Sequence, residues 1–149
     1  MASPPHLHID NQICLSLYSA TNALTRAYRP LLDPLGLTYP QYLVMLVLWD
    51  KDDISVTEIC ARTRLDSGTV TPLLKRLEAK GLLARDRSDE DERKRVISLT
   101  RKGAALQRRA DRIPFEMGCL DVLTATQAAE LKRLAETLYS NLQKLFVAN

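Results

Sequence analysis

The apolar positions of this chain fall at helical spacing over most of its length and change to short strand-like runs once. Ile13, Leu17 and Leu24 sit one and two turns apart, which predicts an N-terminal helix over about residues 10–28. Arg29-Pro30 ends or bends it, and Gly36 marks the loop that follows. Thr38-Tyr39-Pro40-Gln41 reads as a helix start with proline in its first turn, opening the apolar run 42–49. Ser55-Val56-Thr57-Glu58 has capping-box spacing and starts a short helix, apolar at Val56, Ile59 and Cys60, that ends near Arg64. Asp66-Ser67 begins a longer one, with Val70, Leu73, Leu74 and Leu77 inward, that stops at Gly81. Two helices joined by so tight a turn must cross steeply, as in a helix-turn-helix. Residues 82–87 and 93–99 flank an acidic turn and predict a β-hairpin beside the second helix. From Thr100 a helix runs to Arg112, where Pro114 stops it. Thr124-Ala125-Thr126-Gln127 opens the last helix, striped by Leu131, Leu134, Leu138, Leu142 and Leu145.

The expected fold is mainly α with a small β-wing: a winged helix-turn-helix with N- and C-terminal dimerisation helices. The chain divides accordingly into an N-terminal dimerisation helix (1–35), the winged region (36–100) and C-terminal dimerisation helices (101–149). A leucine stripe five turns long has to be covered. The N-terminal helix could cover it within one chain, but two terminal helices also suit an intertwined homodimer. Two-fold symmetry would then present two recognition helices to adjacent major grooves of an inverted-repeat site on double-stranded DNA.

Charge supports a nucleic-acid surface. The chain is only +3, yet residues 60–112 hold 15 Lys/Arg against 8 Asp/Glu, which leaves the remainder acidic. The exposed side of the second motif helix shows Ser67, Thr69, Thr71, Lys75 and Arg76. Lys75, Arg76 and Lys80 suit phosphates, with Ser67, Thr69, Thr71 and Pro72 nearer base edges. Arg93, Lys94 or Arg95 would enter the minor groove from the wing, while Arg85 and Arg87 would pair with Asp86, Asp89 or Asp91 to hold it.

Other classes fit poorly. The longest uncharged apolar run, residues 42–49, is too short to span a membrane, and no secretory leader is visible. Three cysteines in a long leucine-rich chain fit a reducing, cytoplasmic setting. His6 and His8 are the only histidines and lie in a tail expected to fray, so no central base exists for a hydrolase. Cys14, Cys60 and Cys119 lack metal-ligand spacing, and no metal or cofactor is expected.

The cysteines differ. Cys60, next to Ile59, reads as a small core hydrophobe. Cys14 falls in the first turn of its helix, where free backbone N–H groups favour a thiolate, partly opposed by Asp10. Tyr28 returns to nearly the same azimuth but lies about 21 Å along the axis, out of reach of its own helix's thiol. In an antiparallel dimer Tyr28 and Tyr39 would reach the partner's thiol and donate to it. On the pattern alone, a half-buried cysteine in an aromatic-lined core is the simpler reading.

Several segments carry a resemblance: 11–18 around Cys14, 28–33 from Tyr28, 38–42 around Tyr39, 65–69, the wing's 88–93 with Asp91-Glu92-Arg93, and Leu99-Thr100. Over roughly residues 9–146 the chain resembles the MarR family of winged-helix repressors, most closely its organic hydroperoxide resistance (OhrR) group. The wing motif is specific to the broad family only, the N-terminal cysteine with both tyrosines to the group. The resemblance implies that Cys14 is the peroxide-sensing thiol, that Tyr28 and Tyr39 hydrogen-bond it from the other subunit, and that Cys119 is the resolving cysteine of the two-cysteine branch. Cys119 also reads as a packing residue. The implied function is a repressor that binds operator DNA as a homodimer. An organic hydroperoxide induces it by oxidising Cys14, and an intersubunit disulfide to Cys119 releases the DNA. The alternatives are a MarR-type repressor induced by a small aromatic ligand, and a thiol peroxidase.

Overall fold

Asn11 and Gln12 organise the start of the chain, in a computed structural model that describes residues 4–87 and 95–147. The Asn11 side-chain amide donates to the Pro5 carbonyl at 2.8 Å, and that of Gln12 donates to the His6 and His8 carbonyls at 2.9 and 3.1 Å. These bonds hold two 3-10 turns, Pro5–Leu7 and Ile9–Asn11, where a frayed tail was expected. The first helix, α1 (Ile13–Leu32), starts three residues later than expected and continues two residues beyond Pro30. Proline removes one N–H, here the donor to the Arg26 carbonyl, and near a helix end that loss does not stop propagation. A 3-10 turn, Asp33–Leu35, then leads to Gly36.

α2 (Tyr39–Asp50) begins as expected: Thr38 Oγ1 accepts from Gln41 N–H, and Gln41 Oε1 accepts from Thr38 N–H. It is the central helix, with Tyr42, Val44, Met45 and Leu48 almost fully buried. Residues Ile54–Ser55 form a two-residue strand, β1, which the sequence pattern did not announce. α3 (Val56–Thr63) follows, then α4 (Ser67–Ala79), β2 (Leu83–Arg87) and β3 (Arg95–Leu99). The sheet is antiparallel with order β1-β3-β2, pairing Ile54 with Ile97 and Leu83 with Leu99. Ser88, Asp89, Asp91, Glu92, Arg93 and Lys94, to which wing roles were given, lie outside the described residues.

The helix-turn-helix closes through Arg64, which takes a left-handed conformation at φ 59 where a glycine would be usual. α4 ends at Gly81 (φ 70): Gly81 N–H reaches the Glu78 carbonyl and Leu82 N–H the Leu77 carbonyl, the two bonds of a Schellman-type stop. Ile59, Val70, Leu74, Leu77, Leu83 and Ile97 meet in one core beneath the motif and the sheet.

α5 (Arg101–Ala110) is capped by Thr100, whose hydroxyl accepts from Gly103 N–H at 3.0 Å. Gly103 is the most tightly packed of the five glycines. A methyl group there would overlap the Leu82 carbonyl oxygen and sit 2.9 Å from its carbon. The Gly103 carbonyl also accepts from Trp49 Nε1 at 3.0 Å, tying α5 to α2. Gly103→Ala should therefore lower the melting temperature by roughly 6–12 °C, from about 3 kcal/mol of overpacking at about 2–4 °C per kcal/mol. Circular dichroism melts check this; an unchanged melting temperature would mean that the α5 start relaxes freely.

Pro114 does not stop the chain from being helical. It occupies the second position of a new short helix, α6 (Ile113–Gly118), where a missing N–H costs nothing. The chain forms two compact units, Met1–Ile113 and Pro114–Asn149. The second holds the long α7 (Ala125–Val147), opened by the expected reciprocal bonds between Thr124 and Gln127 at 2.9 and 3.2 Å. None of its described residues is buried. No single helix among the described residues is long and apolar enough to cross a membrane.

Candidate functional site

Two groups of side chains stand out, one on the winged motif and one along α1 and α2. On α4, Val70, Leu73, Leu74 and Leu77 face the core, so Ser67, Thr69, Thr71, Pro72, Lys75 and Arg76 are all exposed. The helix is started by Asp66, whose carboxylate accepts from the backbone N–H and the hydroxyl of Thr69 at 2.8 and 2.9 Å. Those hydrogen bonds hold the Asp66 carboxyl below its ordinary value. The Thr69 hydroxyl therefore donates to Asp66, which leaves its oxygen as the group that could accept from a base edge. Arg95, first residue of β3, is exposed and borders an open depression with Asp53, Ser55 and Thr57 at the start of α3.

Two cations are bonded within the fold instead. Arg85 donates to Glu78 Oε2 at 2.7 Å through Nε, rather than pairing with Asp86, because β2 runs back along the C-terminal turn of α4. Lys80, expected on phosphate, sends Nζ to the Gly36 carbonyl and to Gln41 Oε1 at 2.8 Å. Arg85 holds the Glu78 carboxyl below its ordinary 4.5. A carboxyl depressed on folding contributes stability above its unfolded value and loses it as pH falls through the lower folded one. The wing base should therefore loosen in acid below about pH 4.5, and Glu78→Gln should flatten that limb. Urea midpoints measured from pH 6 to 3 read this directly. Equal acid sensitivity in the variant would show that the pair contributes nothing.

Along α1, Cys14 is exposed at the second helical position, and Tyr28 lies in the last turns of the same helix. The thiol and the phenol are thus at opposite ends of α1, as the axial distance required. Tyr28 and Tyr39 come together, with ring centroids 4.9 Å apart, and Tyr42 completes the group at 6.0 and 6.5 Å. Tyr42 went unremarked in the sequence, although its three-residue spacing from Tyr39 puts both on one face of α2. Burial and the neighbouring phenols raise the Tyr39 and Tyr42 hydroxyls above their ordinary value, so both stay protonated as donors. Beside Tyr39 a cavity of about 250 Å³ is lined by Arg26, Arg29, Leu32, Leu37 and Thr38.

The other two cysteines are placed differently from expectation or from each other. Cys60 is only half-buried; burial, followed by the nearby Asp66 carboxylate, pushes its thiol up, which disfavours the reactive anion. Cys119 is exposed immediately after α6, with its N–H on the Phe115 carbonyl at 3.0 Å. Phe115, Leu120, Val122 and Leu123 around it are exposed too. Among the described residues no group of His, Cys, Asp and Glu has the arrangement of a metal site.

Comparison with known proteins places the fold in a family. Residues 26–109 match the family of the transcriptional regulators SarA and Rot. The chain is 44% identical over 144 residues to the organic hydroperoxide resistance transcriptional regulator of Bacillus subtilis, covering 97% of this chain and 96% of that protein. Among solved structures, reduced AbfR bound to DNA is 33% identical and superposes with a TM-score of 0.79, covering 93% of this chain and 94% of that one. AbfR comes from Staphylococcus epidermidis. Its disulfide form, with 33% identity and coverage of 93% and 92%, gives 0.62. The chain therefore belongs to the MarR/SarA-type winged-helix transcriptional regulators, within their organic hydroperoxide resistance group.

Proposed function

We propose that this protein is a DNA-binding repressor that senses organic hydroperoxides through Cys14. The observation that carries the reading is the layout of α1: an exposed cysteine in the first turn and a packed pair of tyrosines at the far end. In a homodimer with two antiparallel α1 helices, Tyr28 and Tyr39 of each subunit reach the other's Cys14 and stabilise its thiolate. The kinship to a regulator named for organic hydroperoxide resistance supports the same ligand class. Residues 1–35 then serve sensing and dimerisation, 36–100 bind DNA, and 101–149 complete the dimer.

The chemistry balances without a cofactor. The Cys14 thiolate attacks one oxygen of the hydroperoxide O–O bond, and the other oxygen leaves as an alkoxide that takes up a proton, giving a sulfenic acid and an alcohol. The Cys119 thiol of the partner then displaces hydroxide, released as water, and forms an intersubunit disulfide. Such a bond requires Cα atoms within about 7 Å, so its formation moves whichever helices begin further apart. That movement takes the two recognition helices out of register with adjacent grooves, and thiol reduction restores them. On DNA, Lys75 and Arg76 sit on phosphates and Ser67, Thr69, Thr71 and Pro72 near base edges, with Arg93, Lys94 and Arg95 on the minor groove. The protein acts once per oxidation, as a switch.

A gel shift on the protein's own upstream DNA, with and without equimolar cumene hydroperoxide, tests the reading when each lane is paired with a non-reducing denaturing gel. Loss of the shifted band together with a dimer-sized species supports it. A wild-type protein that stays bound after oxidant sinks it, and a ligand-induced regulator using the cavity beside Tyr39 becomes the better account.

A further inference from the structure

Gln41 is the one polar residue among the described buried side chains, 2% exposed, and it sits where the sensing corner meets the recognition helix. Its Oε1 accepts two hydrogen bonds, from Thr38 N–H at 3.2 Å and from Lys80 Nζ at 2.8 Å. Lys80 is the residue that caps the C-terminus of α4, and its ammonium also donates to the carbonyl of Gly36, in the loop between α1 and α2. Thr38 is followed directly by Tyr39, whose ring packs on Tyr28 of α1. A continuous set of contacts thus runs from the tyrosine pair through the α2 cap to the end of the recognition helix.

The neighbouring bonds make that end of α4 a fixed point. Lys102 Nζ donates to the Lys80 carbonyl at 2.8 Å, and the Thr100 hydroxyl to the Gly81 carbonyl at 2.6 Å. Arg109 Nη2 donates to the Pro34 carbonyl at 2.7 Å, so α5 grips the α1–α2 loop as well. The Lys80 side chain is exposed, but an ammonium shared between a loop carbonyl and the buried Gln41 amide fixes distance and direction together, because a charged donor makes strong hydrogen bonds.

We propose that Lys80 is a positioning residue: a strut that sets the recognition helix relative to the Tyr28–Tyr39 corner and carries that corner's displacement to DNA. The proposal deepens the redox reading and rests on it for what moves the corner. Lys80 does not serve DNA phosphate, and its charge is spent within the fold.

The test is a double-mutant cycle on operator affinity of the reduced protein, with Lys80→Met and Gln41→Leu alone and combined, across a salt series. Each single variant should bind about tenfold more weakly, the double no more weakly than the worse single, and the salt slope should match wild type. Gln41→Glu, which keeps the acceptor for both donors, should stay within about twofold of wild type. Additive losses, unchanged affinity, or a slope smaller by about one for Lys80→Met, the mark of a phosphate contact, would each overturn the proposal. So would a Gln41→Glu variant as weak as Gln41→Leu. In the oxidised arm, Lys80→Met should consume peroxide as wild type does while its reduced-to-oxidised affinity ratio falls at least about fivefold; a wild-type ratio would contradict the strut. If wild type never releases DNA on oxidation but the reduced cycle stays coupled, the redox reading fails and the strut stands.

Discussion

Cys14→Ser is expected to bind operator DNA as tightly as wild type and to keep that affinity in hydroperoxide that weakens wild type about 100-fold, the upper range of ordinary allosteric coupling. Serine occupies nearly the same volume at an exposed helical position, so fold and DNA surface are preserved. It cannot be oxidised, so nothing initiates the switch. Cys119→Ser separates the steps: the sulfenic acid forms, the intersubunit band disappears, and prolonged exposure carries Cys14 on to irreversible acids. Fluorescence anisotropy on labelled operator, with intact-mass analysis of each sample, reads both variants. Peroxide-dependent release in Cys14→Ser would move the sensing role to another residue. A Cys119→Ser variant with a wild-type cross-linked band would remove Cys119 from the mechanism.

The second large effect concerns the leucine stripe of α7. Leu131, Leu134, Leu138, Leu142 and Leu145 are 39–61% exposed in the single chain, far more than a soluble helix leaves uncovered on its apolar face. Ile13, Leu17 and Leu24 of α1 are likewise open. The dimerisation roles proposed for the terminal helices predict that a homodimer covers both. Placing an unpaired carboxylate in that seam with Leu138→Asp removes apolar contact and buries a charge, which costs several kcal/mol across two symmetric copies. The variant should sediment as a monomer and lose about 10²–10⁴-fold in operator affinity, because the two half-sites no longer share one molecule. Winged-region residues are untouched, so residual weak binding to a half-site should persist. A dimeric Leu138→Asp protein with full affinity would mean that α7 is not the dimer seam.

Much of the architecture was legible because its signals are local. Capping residues Thr38, Ser55, Asp66, Thr100 and Thr124 each mark a real helix start, and the inward set Val70, Leu73, Leu74 and Leu77 is buried as its spacing requires. What escaped depends on distant partners. β1 is two residues long and exists only because β3 passes beside Ile54. Ser55 caps α3, but the return arm of the box is absent, since Glu58 pairs with Lys51 at 2.8 Å. Pro30 was read as ending or bending its helix and Pro114 as stopping one; the first lies two residues before the helix end and the second where a new short helix has just begun. For Lys80 the sequence offered phosphate and for Arg85 the nearby wing carboxylates; only the fold shows the acceptors 44 and 7 residues away. Tyr28 and Tyr39 were grouped in the sequence by their relation to Cys14, but that their rings pack on each other needs the fold, because the turn at Gly36 brings their separate helices together.

Peroxide-induced release is tested by titrating the reduced dimer on labelled operator with substoichiometric to excess cumene hydroperoxide, following anisotropy and free thiols together. Release should be complete at about one equivalent of oxidant per Cys14, stop there, and reverse on adding dithiothreitol. Continued peroxide consumption with DNA still bound, or release without loss of the Cys14 thiol, would contradict the account.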